Sequence, residues 1–373
     1  MMVMEVVKRN FLRLLRGGAF GYADEAVEPM SPWKWDMLYN ISLIHGVAPL
    51  VNDGMAMHAK DFFMQTTPGQ KAKWAKVTEE TEKANRDSNE KLSRLFGIMN
   101  HGQLRPILMN GQSHAILYDN PLHRNNGVTD IFFPYAPQAK KAEKWANDNG
   151  KKPSWTDRGT LKYDYDGLKV EHYTQAFKLT NFFLNRRLQN IINKEIRCCD
   201  SSYIHIGDTK IETMPPTLSL LLTMLRVARC TIMDGIRLDQ LVDLGISIRR
   251  ACNDIDFVKL QKWLDQLQMK RMAQMEGAML VEFFRFDEDE IPFMTANGDK
   301  NVSKIDKDIF GYKAGQSDDW YFTQGKNIFV RTSDSGAMTW QIKHLAKFFR
   351  YYPAETITAF GSTLIHSMSH IEE

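Results

Sequence analysis

Cysteine is scarce in this sequence and is nowhere arranged for chemistry. The four in 373 residues are Cys198, Cys199, Cys230 and Cys252. No pair has the two-residue gap of a zinc or redox motif, and adjacent cysteines bridge each other with difficulty. A disulfide framework and a cysteine-held metal are therefore excluded, and free thiols in a reducing, cytoplasmic compartment are expected. Long apolar runs are missing too: none approaches the roughly 20 residues of a membrane span. Met1 to Phe20 carries apolar positions at helical spacing, but Lys8, Arg9, Arg13 and Arg16 interrupt it, so no signal-peptide core is expected there. Charge of one sign is also lacking. Lys and Arg total 48 against 45 Asp and Glu, a net charge of +3, which gives a nucleic-acid-binding arm no support. His101, His114, His123 and His205 share no metal-ligand spacing, so no zinc site is expected. There is no internal repeat and no low-complexity tract.

What is present is material for a large folded chain. A hydrophobic content of 43% with 25% charged residues is that of an ordinary globular protein, and this length buries a core without help from a metal. The first hundred residues read as helices. Ser31-Pro32 and Thr67-Pro68 each place a capping residue before a proline at the first helical position. The two helices close near His45-Gly46 and His101-Gly102. From Arg105 the texture changes. Pro106–Met109 and Val128–Phe133 read as buried strands, and Ala136-Pro137 opens a helix that ends at Asn149-Gly150. Leu161–Tyr165 and Leu168–Tyr173 flank an Asp166-Gly167 turn as a hairpin, and Tyr203–Ile206 with Lys210–Thr213 form another. Pro215-Pro216 starts a helical region that runs to about Phe293. Ala296–Asp319 reads as a linker, Trp320–Arg331 as a hairpin, and Thr339–Tyr352 as a last helix before a tail. The expected organisation is a helical region over 1–102, a small mixed sheet with helices over 103–214, a helical domain over 215–295 and an extension over 296–373.

One stretch of the sheet region carries chemistry. An apolar run ends at Asn110-Gly111, a helical piece follows, a polar loop holds Pro121 and Arg124, and the next strand bears one acid, Asp130. A later strand bears Glu171. Glycine at a strand-to-helix turn lets backbone approach phosphate, and the helix N-terminus favours negative charge. Carboxylates on strands present oxygens to Mg²⁺, which is usually shared between one or two acids and the phosphates of a nucleotide. Nucleotidyl transfer needs this combination, because metals neutralise the triphosphate during in-line attack on its α-phosphate. Each residue also has a plainer reading. Asp130 suits a solvated or turn-bonded acid, Glu171 an exposed hairpin acid, and His172 a packed position. Arg124 suits a phosphate ligand or, the favoured reading, a partner of Asp119 or Asp130. Gly111 is explained by a tight turn alone.

These residues fall in an order that resembles the large bacterial family of uncharacterised nucleotidyltransferases within the DNA polymerase β-like superfamily. The matching segments are Met109-Asn110-Gly111-Gln112, Tyr118-Asp-Asn-Pro121-Leu-His-Arg124, Gly127-Val128-Thr129-Asp130 and Val170-Glu171-His172. Ala23 to Met55 is similar to the family's helical lead-in, and Asp234 to Asp243 to a later Gly-Ile-Gly-Leu-Arg-Gln-Leu segment, so the resemblance spans about residues 10–295. Three positions depart from the pattern. Val128 stands where the family has its first metal-binding Asp, Asn110 where Lys is usual, and Asp239 where Arg is usual.

The resemblance implies an α+β fold: a nucleotidyltransferase-like mixed β-sheet with helices, flanked by N-terminal and C-terminal helical regions. It implies a nucleoside triphosphate bound with one or two Mg²⁺ and a nucleotidyl group passed to a hydroxyl or amine. Asp130 and Glu171 would hold the metal and do the chemistry, and Gly111, Gln112, Ser113 and Arg124 would line the phosphates. The departures motivate the alternative, an inactive relative that keeps the fold as a binding or scaffold module.

Overall fold

A computed structural model describes residues 2–156, 159–199, 201–295 and 345–369, together with residues 302, 305, 309 and 310. It is a mixed α/β protein whose chain divides into two compact units. The expected hairpin Trp320–Arg331 and nearly all of the expected linker lie outside the described residues, as do residues 339–344 of the expected last helix.

The first unit comprises Met1–Phe177, Ile192–Ser219 and Arg249–Ile255. It opens with helices α1 (Met2–Phe20), α2 (Pro32–Ile44), α3 (Ala48–Met57) and α4 (Pro68–His101). The start of α4 follows its sequence signals. The N–H of Gln70 donates to the Thr67 hydroxyl at 3.2 Å, and the N–H of Thr67 donates to the Gln70 side chain at 3.1 Å. This reciprocal cap satisfies two backbone donors that the first turn leaves open. Helix α3 lies between the expected stop at His45-Gly46 and the next expected start at Thr67-Pro68; Pro49 falls in its first turn, where its missing N–H costs nothing. Helices α1 and α3 cross at glycine. A Cβ on Gly18 would lie 1.7 Å from the Leu50 carbonyl oxygen, and one on Gly54 would lie 1.8 Å from that of Leu14.

The sheet follows. Strands β1 (Ile107–Met109), β2 (Thr129–Phe132), β3 (Lys151–Trp155), β4 (Leu161–Tyr165), β5 (Leu168–Tyr173), β6 (Ser202–Ile206) and β7 (Thr209–Thr213) lie in the order β3-β4-β5-β2-β1-β7-β6. β2 runs parallel to β5 and antiparallel to β1, so the sheet is mixed, as expected. One face carries Leu108, Ile131, Val170, Leu161, Tyr163 and Ile211, and packs with Leu92, Leu95, Phe96 and Met99 of α4 and with Ala142 and Ala146 of α6 (Ala136–Asn149). Strand β3 was not expected. Its Lys151, Lys152 and Pro153 disfavour a strand interior, but all five of its residues are exposed on the sheet edge, where Lys and Pro discourage pairing with another chain.

The second unit comprises Lys178–Ile191, Leu220–Ile248 and Asp256–Glu373. Helix α7 (Phe182–Cys198) leads to it from a stretch in which no element was expected. Helices α8 (Pro216–Arg229), α9 (Leu238–Arg250), α10 (Phe257–Gln266) and α11 (Lys270–Phe284) supply most of its core. Met272, Met275 and Met279 are buried there as adaptable filler. The residues after Tyr352, expected as a tail, form a helix, α12 (Pro353–Ser369). The stretch Pro216–Met233, with mean hydropathy 1.2, is long and apolar enough to cross a membrane. It is 67% buried inside the protein, as a core helix would be, and carries Arg226 and Arg229. All four cysteines are free.

One core residue runs against its surroundings. Glu276 of α11 is fully buried, and among the described residues neither carboxyl oxygen has a hydrogen-bond partner. Burial holds its carboxyl protonated well above the usual carboxylate range. The unfolded chain ionises this group above its ordinary value while the folded chain does not, so stability is full at acid pH and falls as pH rises. Glu276→Gln is therefore expected to raise the urea midpoint, by more at pH 8 than at pH 5. Gly54→Ala drives a methyl group into backbone and is expected to cost about 1–3 kcal/mol or more in urea unfolding, far above the small gain Ala gives at an open helical glycine.

Candidate functional site

The candidate site is built on the sheet face opposite the core just described. Asp130 pairs across β2–β1 with Met109 and across β2–β5 with Glu171, and Glu171 pairs across β5–β4 with Lys162. Residues in register on neighbouring strands point to the same face. Asp130, Glu171 and Lys162 thus form one row, at the strand spacing of about 4.8 Å. The two acids expected from sequence are brought together. Val128 precedes β2, two residues before Asp130, and is 39% exposed, so this position is accessible and apolar.

Both acids are already engaged by protein donors. The Asn110 side-chain amide donates to Asp130 Oδ2 at 3.1 Å. The Thr160 hydroxyl donates to Glu171 Oε1, and Lys162 Nζ stands 3.3 Å from Glu171 Oε2. Glu171 is buried, unlike the exposed hairpin acid of its plainer reading. His172, paired with Ile131, faces the core. There its Nε2 meets the Tyr163 hydroxyl at 2.8 Å, and burial lowers its pKa to about 3. It is a packed neutral imidazole.

The turn after β1 is set by backbone conformation. Asn110 and Gly111 both have φ of +54°, and Gly111 combines it with ψ of −118°, a region that a side chain makes costly. Asparagine tolerates the left-handed region better than most residues, a local reason for Asn at this position. Helix α5 (Gln112–Ala115) has four residues, too few to sum into a useful dipole. Any anion here depends on backbone N–H groups and side chains. Ser113 turns its hydroxyl back on the Asn110 carbonyl at 2.9 Å, and Gln112 is buried.

The loop carrying Arg124 is fixed by residues that sequence reading did not single out. Asn85 of α4 donates to the carbonyls of Leu122 at 2.7 Å and Arg124 at 2.8 Å, and its own oxygen accepts from Asn126 at 3.1 Å. His123, buried, sets Nδ1 2.6 Å from Asp53 of α3 and Nε2 2.8 Å from Glu82 of α4. Arg124 then donates to Asn126 Oδ1 at 2.5 Å, while Asp119, one of its expected partners, takes Arg250 at 2.5 Å. No sequence spacing announces these contacts, because they join residues far apart in the chain.

A pair of divalent cations does not suit this donor set. Val128 offers no oxygen beside Asp130, Asp130 accepts an amide, and Glu171 accepts a hydroxyl and an ammonium. Among the described residues no group of three or more His, Cys, Asp or Glu is placed to hold a metal ion. The arrangement can instead offer amide, hydroxyl and ammonium donors beside two carboxylates.

Two carboxylates on one imidazole favour the imidazolium. Burial lowers the His123 pKa, but the hydrogen bonds to Asp53 and Glu82 outweigh it and leave the pKa above its ordinary value. A raised pKa in the folded state adds stability that is present below about pH 6.5 and is lost as pH rises through the folded value. His123→Gln is therefore expected to cost about 2–3 kcal/mol in urea unfolding at pH 6, with the gap to the parent narrowing as pH rises above 7.

The sequence profile of the uncharacterised nucleotidyltransferase family matches residues 31–285, more than two thirds of the chain. No curated protein matches. The chain is similar to the solved structure of an antigenic nucleotidyltransferase-like protein from Paracoccidioides brasiliensis, at 13% identity and a TM-score of 0.35. That likeness covers 53% of this chain and 92% of the other, and the assignment rests on the family match. With the matched region taking in the mixed sheet, its Asn110-Gly111 turn and both strand-borne acids, this chain belongs to the uncharacterised nucleotidyltransferase family.

Proposed function

We propose that this chain binds the phosphates of a nucleoside triphosphate beside β1 and β2, in a site where metal-dependent transfer has been given up. The carrying observation is the row itself: each remaining acid accepts from a protein donor, Asp130 from Asn110 and Glu171 from Thr160 and Lys162. Three carboxylates on one face repel a triphosphate until divalent cations offset them. Two carboxylates, one of them paired with Lys162, repel it less. In this reading the backbone of Gly111 approaches the phosphates, Gln112 and Ser113 shape the turn, and Arg124, held by its clamped loop, meets the phosphate tail. The protein acts as a nucleotide-responsive binding module, and its free cysteines fit a reducing compartment such as the cytoplasm.

A second reading keeps the enzyme. The Asp130–Glu171 register supports it, since both acids share a face. It requires one Mg²⁺ at Asp130 and Glu171 with Lys162 drawn away, and a hydroxyl or amine as acceptor.

Thermal unfolding in the presence of each of the four ribonucleoside triphosphates tests the proposal. At 100 times its dissociation constant a ligand adds about 2.7 kcal/mol, and at least one triphosphate is expected to raise the midpoint in EDTA. No shift with any of them at millimolar concentration, with or without Mg²⁺, would overturn both readings. Mg²⁺-dependent release of pyrophosphate would favour the second.

A further inference from the structure

The proposed phosphate site gives Lys162 a use that neither the family assignment nor the acids themselves supply. Its register with Glu171 puts both side chains on the same face, with Nζ 3.3 Å from Glu171 Oε2. The two ends of the pair differ in exposure. The Glu171 side chain is 9% exposed and is also held by Thr160, while the Lys162 side chain is 50% exposed. A buried carboxylate is costly unless paired, and here the pairing charge comes from a flexible stem that reaches water. An ammonium has three N–H donors. One directed at Glu171 leaves others for an anion arriving from solvent. A divalent cation in such a place does the same work, joining a carboxylate to phosphate oxygens.

Resting on the phosphate-binding reading above, we infer that the Lys162 ammonium is the built-in replacement for a metal ion, bridging Glu171 to the phosphates so that binding needs no divalent cation. A plain cross-strand ion pair would contribute only slightly to folding and would not affect ligand binding. The two roles therefore separate in a binding experiment.

The probe is inorganic tripolyphosphate, which removes the base and sugar from the question, titrated calorimetrically into the full chain in EDTA. The parent is expected to bind, and Lys162→Gln to bind at least tenfold more weakly. Millimolar Mg²⁺ is expected to restore much of the loss in Lys162→Gln, since the metal can then occupy the vacated side of Glu171, and to leave the parent unchanged or weaker. Lys162→Arg keeps the cation and is expected to stay within a few-fold of the parent, which serves as the reference if Lys162→Gln folds poorly by circular dichroism. Equal binding by parent and Lys162→Gln in EDTA would overturn the inference, and so would a Lys162→Arg chain that folds but loses binding. A parent that binds only with Mg²⁺ would also overturn it while leaving the phosphate site in place. A parent that binds neither tripolyphosphate nor any nucleoside triphosphate under either condition would instead remove the phosphate-binding reading on which it rests.

Discussion

Two carboxylates on adjacent strands of one sheet face have to be offset before any anion can approach them, and that constraint organises the site in this protein. Asp130 and Glu171 are fixed side by side by the parallel register of β2 and β5. Everything distinctive about the neighbourhood answers their charge. Asn110 turns its amide on Asp130, and Thr160 and Lys162 converge on Glu171. These donors are separate in sequence but converge on one row, so both acids are engaged by protein groups.

Holding the row in place depends on a support that lies outside it. The core face of the sheet packs on α4, and α4 also contributes Asn85 and Glu82 to the loop that presents Arg124. One long helix thus sets both the sheet and the loop. His123 completes the link by joining that loop to α3 as well, through Asp53. The clamp is made of charged and amide groups that satisfy one another, which fixes the loop more specifically than apolar packing alone would.

Much of this architecture was legible in the sequence. Proline after a capping residue located α2 and α4, Asp166-Gly167 located the β4–β5 hairpin, and short apolar runs located β1 and β2. Asp130, Glu171 and Gly111 stood out as a strand-borne pair and a turn. What escaped was of two kinds. Strand β3 carries Lys and Pro, which local propensity disfavours and tertiary context overrides, and helix α3 follows directly on the Gly46 stop signal with Pro49 tolerated in its first turn. The partners of the site escaped because they depend on register and distance. Lys162 meets Glu171 only once β4 pairs with β5, and His123 finds Asp53 and Glu82 at separations of 70 and 41 residues. The sequence also suggested a helix N-terminus at the phosphates, where the structure has only the four residues of α5.

The central claim is that protein groups, and not divalent cations, engage Asp130 and Glu171. Calorimetric titration of Mn²⁺ into the nucleotide-free chain, alongside Val128→Asp, addresses it most directly. The account predicts no saturable binding by the parent below millimolar concentration, and a measurable site once the third carboxylate is restored. One or two Mn²⁺ bound by the parent with micromolar affinity, and lost in Asp130→Asn, would contradict it.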